Sequence, residues 1–158
     1  MLEWMHDPLV VRDLRTDFSK RTENDCCSFI VGSWNDENNL HLAIVNEEDE
    51  YLGTVSLKNI ENGHAEFAIT IRASAMGKGL AKSAMQKILE IGFNEKCLES
   101  IYWCVSSENK RAMRFYIKNG YKMVSPEQII IRGDYSKEEV NSYYWFCMKK
   151  ADYVEMNE

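Results

Sequence analysis

The chain has 158 residues, a length that one domain with a real hydrophobic core can fill. Its 19 basic and 25 acidic residues leave a net charge of −6, which excludes a broad phosphate-neutralising surface and hence nucleic acid as the main partner. No apolar run approaches the roughly 20 residues needed to span a bilayer. The opening MLEWMHDPLV has no basic segment ahead of an apolar one, so the expectation is a cytoplasmic protein with no membrane partner.

The first fifteen residues read as a helical fragment broken at Asp7-Pro8. Thr22-Glu23-Asn24-Asp25 resembles a capping box with Asp at its last position, which predicts a helix to about Ser33. Three strand-like runs follow: Leu40–Asn46, Tyr51–Lys58 and His64–Arg72, separated by the acidic turn Glu47–Glu50 and the turn signal Glu61-Asn62-Gly63. Such short connections predict an antiparallel meander. From Gly77 to Phe93, Leu80, Ala84, Ile88 and Ile91 recur at helical spacing, with Lys82, Gln86 and Glu90 opposite. Ser100–Val105 reads as a short buried strand. Asn109–Asn119 reads as a second helix, closed by Gly120. Two late runs, Gln128–Arg132 and Ser142–Lys149, read as strands flanking a polar link at Asp134–Asn141. No repeat or linker interrupts this order, which predicts a single α/β (mixed α+β) domain over residues 1–158: a mixed, mostly antiparallel sheet flanked by helices.

Five cysteines (Cys26, Cys27, Cys97, Cys104, Cys147) are an odd number without CxxC spacing, and three histidines are scattered. The expectation is reduced, structural thiols and no metal site. Cys104, inside the apolar run IYWCV, reads as a small hydrophobe.

The segment Met76-Gly77-Lys78-Gly79-Leu80-Ala81 lies between a strand and an amphipathic helix. Glycines there let the backbone approach a ligand closely. A helix start presents unpaired N–H groups and the positive end of its dipole, which together suit an anion. Lys78 and Lys82 add charge. The nucleoside-triphosphate loop is excluded because Gly77 and Gly79 stand only two apart and no hydroxyl follows Lys78. The dinucleotide fingerprint is incomplete, since Lys82 occupies its third glycine position. A plain tight turn entering a core helix also fits the loop taken by itself.

At this point the chain resembles the GNAT superfamily of N-acetyltransferases. The acetyl-CoA motif of that family, Arg/Gln-x-x-Gly-x-Gly/Ala before a long helix, is matched by Gly79 and Ala81, with Gly77 as the common extra glycine. Met76 stands where Arg or Gln is usual, so pyrophosphate binding would rely on backbone N–H groups and on Lys78 or Lys82. A second stretch, Asn109 to Tyr121, is similar to the later family helix, Asn-x-x-Ala-x-x-x-Tyr-x-x-x-Gly-Phe/Tyr, at every fixed position. The resemblance covers roughly Leu40 to Tyr121. Family members open with a strand before the first helix. Here that strand is missing or replaced, leaving a sheet edge that invites a homodimer.

The resemblance implies acetyl-CoA as cofactor and a catalytic division of labour. Tyr116 occupies the tyrosine position and is the expected general acid, since a phenol can protonate a departing thiolate. An aromatic filling the core is its plain alternative. Asn109 matches the asparagine that bonds cofactor or water, and Asn is also a preferred helix cap. Glu66 is the candidate base: period-two alternation puts it with Ala68 and Thr70 on one strand face, opposite Phe67, Ile69 and Ile71. A paired or exposed carboxylate is the alternative there. Main-chain pairing with the pantetheine arm is expected at Ile69, Thr70, Ile71 and Arg72, and cofactor contacts at Met76, Gly77, Lys78, Gly79, Leu80, Ala81, Lys82 and Asn109. Three functions stay open. The favoured acceptor is a small-molecule amine, such as a nucleotide-linked amino sugar, with Trp4, Trp34 or Trp145 as candidate pocket walls. A protein N-terminus and a non-catalytic acetyl-CoA-binding module are the others.

Overall fold

The computed structural model describes residues 1–157. Pro8 supplies the first residue of a short helix and Asp7 caps it, which is why the opening segment splits into α1 (Leu2–Met5) and α2 (Pro8–Val11). The Thr22 box forms reciprocally with Asp25 and starts α3 (Glu23–Ser33). The meander follows as β1 (Leu40–Val45), β2 (Tyr51–Glu61) and β3 (His64–Ile71), all antiparallel. None of residues 1–39 forms a strand, so β1 is the sheet edge.

After β3, a 3₁₀ turn at Ala73–Ala75 and the glycine loop lead into α4 (Leu80–Glu90), which ends in a π turn at Ile91–Glu95. β4 (Ser100–Ser106) then inserts parallel to β3 and is followed by α5 (Lys110–Lys118), capped by Asn109. The last elements are β5 (Met123–Val124), α6 (Lys137–Ser142), β6 (Tyr143–Lys149) and α7 (Lys150–Asn157). The sheet order is β1-β2-β3-β4-β6-β5, with the β4–β6 and β5–β6 pairs antiparallel. This is the mixed, mostly antiparallel sheet that the run order predicts.

Two details differ from the sequence expectation. Gln128–Arg132 is not a strand. Met123 and Val124 already occupy the position beside β6, Pro126 opens a 3₁₀ turn, and the Arg132 N–H is taken by the Tyr102 hydroxyl at 2.8 Å. The polar link contains α6, whose start is a reciprocal Ser136/Glu139 capping box. On one sheet face, Leu57, Phe67, Ile101, Trp103 and Phe146 pack against Met85, Ile88, Leu89 and Phe93 from α4 and its π turn, and Tyr116 from α5. A smaller cluster of Trp4, Met5, Val10 and Cys26 holds the N-terminal helices together. Of the three tryptophans expected at a sugar pocket, Trp145 is a packing residue, Trp34 is exposed, and Trp4 is buried but lines a chamber.

Candidate active site

The parallel ladder between β3 and β4 lasts only from His64–Ser100 to Glu66–Tyr102. Beyond it β4 follows β6 along its whole length, and the second half of β3 is left with β2 on one side only. A strand offers its peptide groups alternately to its two neighbours. The Arg72 N–H donates to the Leu52 carbonyl at 2.9 Å, which fixes the alternation. Arg72 and Thr70 therefore face β2, whereas Ile69 and Ile71 face the open splay. Ile69 and Ile71 line the chamber there and Thr70 does not. The Arg72 guanidinium is tied to Glu50 at 2.8 Å and Glu3 at 2.6 Å.

The glycine loop closes one end of the splay. Gly77 and Gly79 sit at φ 80° and 79°, and a Cβ at either would meet nothing within 4 Å, so the loop faces open space. Only glycine adopts this left-handed backbone without strain. Among the described residues, the N–H groups of Gly77, Lys78, Gly79, Leu80 and Ala81 make no backbone hydrogen bond, and Gly79 provides no side-chain cap. Five unsatisfied donors at a helix start form an anion cradle. Lys82, Arg111 and Lys118 line the same chamber of about 510 Å³, and none forms an ion pair among the described residues. Met76 lies there too, with the Arg111 guanidinium against its sulfur at 2.6 Å. Lys78 is exposed and does not line the chamber. A pyrophosphate fits this cradle, and an extended arm bearing amides fits the free peptide groups of Ile69 and Ile71.

A second chamber of about 280 Å³ adjoins the first, sharing Asp13, Ile69, Asn109, Ala112 and Tyr116 with it. Tyr116 is buried among Trp103, Phe146, Phe115 and Tyr121, and burial pushes its pKa up, so the hydroxyl keeps its proton. Asn109 accepts the Ala112 N–H at 3.0 Å as a cap, which leaves its amide nitrogen free at the junction. The cap role of Asn109 is formed, and its amide remains available to a ligand in the chamber.

Glu66 lines the second chamber on the face that alternation predicts and is 4% exposed. Its Oε1 accepts from the Tyr135 hydroxyl at 2.6 Å and from Lys58 Nζ at 3.1 Å, and Asn59 approaches Oε2 at 3.5 Å. The paired-carboxylate alternative is thus the observed environment. Cys104 is part of the same wall: its Sγ lies 3.5 Å from the Tyr135 hydroxyl, and burial raises the thiol pKa. Arg15 stacks over the Tyr135 ring at 4.3 Å and bonds Glu139 and Asp134, joining the α2–α3 segment to the C-terminal half. A third chamber of about 340 Å³, walled by Trp4, Phe18 and Phe29, continues past Thr16, Lys58 and Ala68–Thr70.

Sequence reasoning missed Asp13, Arg15, Lys58, Tyr135, Arg111 and Lys118. Arg111 and Lys118 were within reach, because residues seven apart fall on one helix stripe, here beside Phe115. The others come from loops or a neighbouring strand and carry no periodic signal.

A sheet split beside a glycine-rich helix start, with a buried tyrosine at the junction of two chambers, defines the acyl-CoA-dependent transferase class of α/β fold. The model of the acetyltransferase (GNAT) domain matches residues 1–122, and the chain belongs to that family. An uncharacterized N-acetyltransferase p20 of Bacillus licheniformis is 29% identical over 113 residues, 70% of this chain and 62% of that protein. A spermidine N(1)-acetyltransferase of Escherichia coli (strain K12) is 33% identical over 96 residues, 58% of this chain and 52% of that protein. The match thus spans between half and two thirds of these relatives. A spermidine N-acetyltransferase of Vibrio cholerae, solved in complex with CoA and spermine, superposes with a TM-score of 0.78 at 19% identity, over 97% of this chain and 89% of that one. That likeness is one of fold.

Proposed function

We propose that this chain transfers the acetyl group of acetyl-CoA to a primary amine of a small molecule, with an elongated alkyl amine of the polyamine type as acceptor. One observation carries the reading: the chamber with the anion cradle and the chamber with a buried carboxylate meet at Tyr116. Acetyl-CoA, when bound, supplies an activated acetyl thioester. The N–H groups of residues 77–81, with Lys82, Arg111 and Lys118, hold its phosphates. Ile69 and Ile71 pair with its arm through their peptide groups, and Tyr116 donates a proton to the departing sulfur.

The acceptor class rests on charge. The cations around the two acceptor chambers are already paired: Lys58 with Glu66 at 3.1 Å, Arg21 with Asp25 at 3.7 Å, Arg15 with Glu139 and Asp134. A nucleotide diphosphate would meet no unpaired Lys or Arg side chain among the described residues there, which weighs against the amino-sugar nucleotide expected from sequence. An ammonium finds Glu66 Oε2 and Asp13, on a chain of net charge −6. The adjoining chamber of about 340 Å³ leaves room for an alkyl chain along Trp4, Phe18 and Phe29. The spermidine acetylation carried out by these relatives supports the same class.

The test is acetyl-CoA binding by calorimetry, then thiol release with spermidine, spermine, a simple alkyl amine, an amino-sugar nucleotide and a peptide N-terminus. Release with the alkyl amines is the expected result. Release with the sugar nucleotide or peptide alone would overturn the acceptor class. Binding without release from any amine would turn the chain into an acetyl-CoA-binding module.

A further inference from the structure

We propose that Asp13, rather than Glu66, takes the proton of the acceptor amine, and that Glu66 is the fixed anion that receives the incoming ammonium. This rests on the transferase reading above. A base must stand within hydrogen-bond reach of the nitrogen where it meets the thioester. That place is the junction of the first two chambers, and of the residues lining both, Asp13 alone carries a carboxylate. Glu66 lines the acceptor chamber only.

The surroundings of the two carboxylates separate their roles. Glu66 is almost fully buried, and its Oε1 already receives Tyr135 at 2.6 Å and Lys58 at 3.1 Å. That oxygen is therefore already occupied by two donors. Its Oε2 has only the distant Asn59 amide, which suits a docking point for an ammonium. The Asp13 side chain is 20% exposed, so water reaches it and can carry a proton away. Its one ionic partner is the neighbouring Arg12 at 3.3 Å, itself 66% exposed, and such a pair binds weakly. The two carboxylates thus differ in access and in partners, which suits them to different tasks.

The step balances as follows. An Asp13 carboxylate oxygen takes one proton from the ammonium and frees the nitrogen lone pair. The C–N bond forms at the thioester carbonyl carbon while the C–S bond breaks. The sulfur takes the Tyr116 hydroxyl proton. The second nitrogen proton restores the Tyr116 hydroxyl through water, and Asp13 releases its own proton to solvent.

The experiment compares wild type with Asp13→Asn, Asp13→Glu and Glu66→Gln, using whichever amine wild type turns over. Asp13→Asn is expected to lose about 10²-fold in kcat near neutral pH. The deficit narrows as pH rises towards the amine's own pKa, acetyl-CoA affinity by calorimetry is unchanged, and Asp13→Glu recovers much of the rate. Calorimetry of the amine on protein saturated with CoA gives a readout independent of turnover: Glu66→Gln weakens amine binding several-fold, and by more than Asp13→Asn does. A kcat for Asp13→Asn within threefold of wild type, or a pH-dependent deficit in Glu66→Gln instead, overturns the assignment. Wild type separates this failure from the larger one. If wild type releases no thiol with any amine, the transferase reading itself falls; if it turns over and Asp13→Asn does equally well, only Asp13 falls.

Discussion

The two adjoining chambers are built from opposite electrostatic stock. The cofactor chamber offers five peptide donors without backbone partners and three cations, Lys82, Arg111 and Lys118, that no described carboxylate neutralises. In the acceptor chambers the described Lys and Arg side chains are each matched: Lys58 by Glu66, Arg21 by Asp25, Arg15 by Glu139 and Asp134. On the proposed reading a phosphate goes to one side of Tyr116 and an ammonium to the other, although the chain as a whole is acidic. Net charge argued against nucleic acid as the main partner but was silent about this local separation, because a few uncompensated groups in a concave site outweigh a distant average.

The largest effect should come from the residue standing between the chambers. Tyr116→Phe keeps the ring among Trp103, Phe146 and Tyr121 and removes only the hydroxyl. Turnover is expected to fall about 10²-fold or more with acetyl-CoA affinity intact. Unchanged turnover would make Tyr116 the core aromatic that its packing alone suggests. Next come the cations. Lys82→Ala and Arg111→Ala should each weaken acetyl-CoA about fivefold, roughly 1 kcal/mol for an exposed charge-assisted contact, and flatten its salt dependence. Arg21→Ala, in the acceptor chambers, should leave acetyl-CoA affinity alone. Equal losses from all three would abolish the contrast, because the charge would then act only through the overall field.

Tyr135→Phe probes the acceptor side alone. It removes the 2.6 Å bond to Glu66 Oε1 and leaves Lys58 as the only close donor to that oxygen. A lost hydrogen bond to a buried charge costs about 1.5–3 kcal/mol. Part of that loss should appear as a several-fold rise in acceptor KM and part as a lower melting temperature. The KM for acetyl-CoA should stay put. A change in acetyl-CoA KM of the same size would mean that the two chambers do not work independently.

The cofactor chamber was largely legible in the sequence and the acceptor chambers were not, for a physical reason. Gly77 and Gly79 sit at the tight turn into α4 and Asn109 at the start of α5, with Tyr116 further along the same helix, local features whose chemistry is written in nearby residues. Even so, strand alternation had to be seen paired before Ile69 and Ile71 could be told from Thr70 and Arg72, since the sequence does not say which peptide groups β2 uses. The acceptor site is assembled from Asp13, Lys58, Glu66 and Tyr135, residues brought together only by the fold. Tyr135 sits 69 positions from Glu66, in a link read as merely polar. The Ser136-x-x-Glu139 pattern could have revealed α6 there. Nothing local announced that Tyr135, just before it, turns inward.

The smallest expected effect concerns the Arg15 tie, and it carries a pH signature. Bonding from Arg15, aided by the Ser136 N–H, lowers the Glu139 pKa from 4.5 to about 2, and Arg15 lowers that of Asp134 as well. Carboxylates with a depressed folded pKa contribute stability that is present above their unfolded value and lost as pH falls through the folded one. The Arg15 contribution should therefore be complete above about pH 5 and fade between pH 4.5 and pH 2. Both carboxylates are exposed and screened, so the effect on overall stability is small. Urea midpoints of wild type and Arg15→Ala, compared at several pH values from 3 to 7, should differ at neutrality and converge on the acid side. Arg15 also lies over the Tyr135 ring at 4.3 Å, an attraction that does not depend on carboxylate charge. A gap that persists undiminished to pH 3 would assign the tie to that stacking. It would also make Tyr135, rather than the ion pairs, the joint between the α2–α3 segment and the acceptor wall.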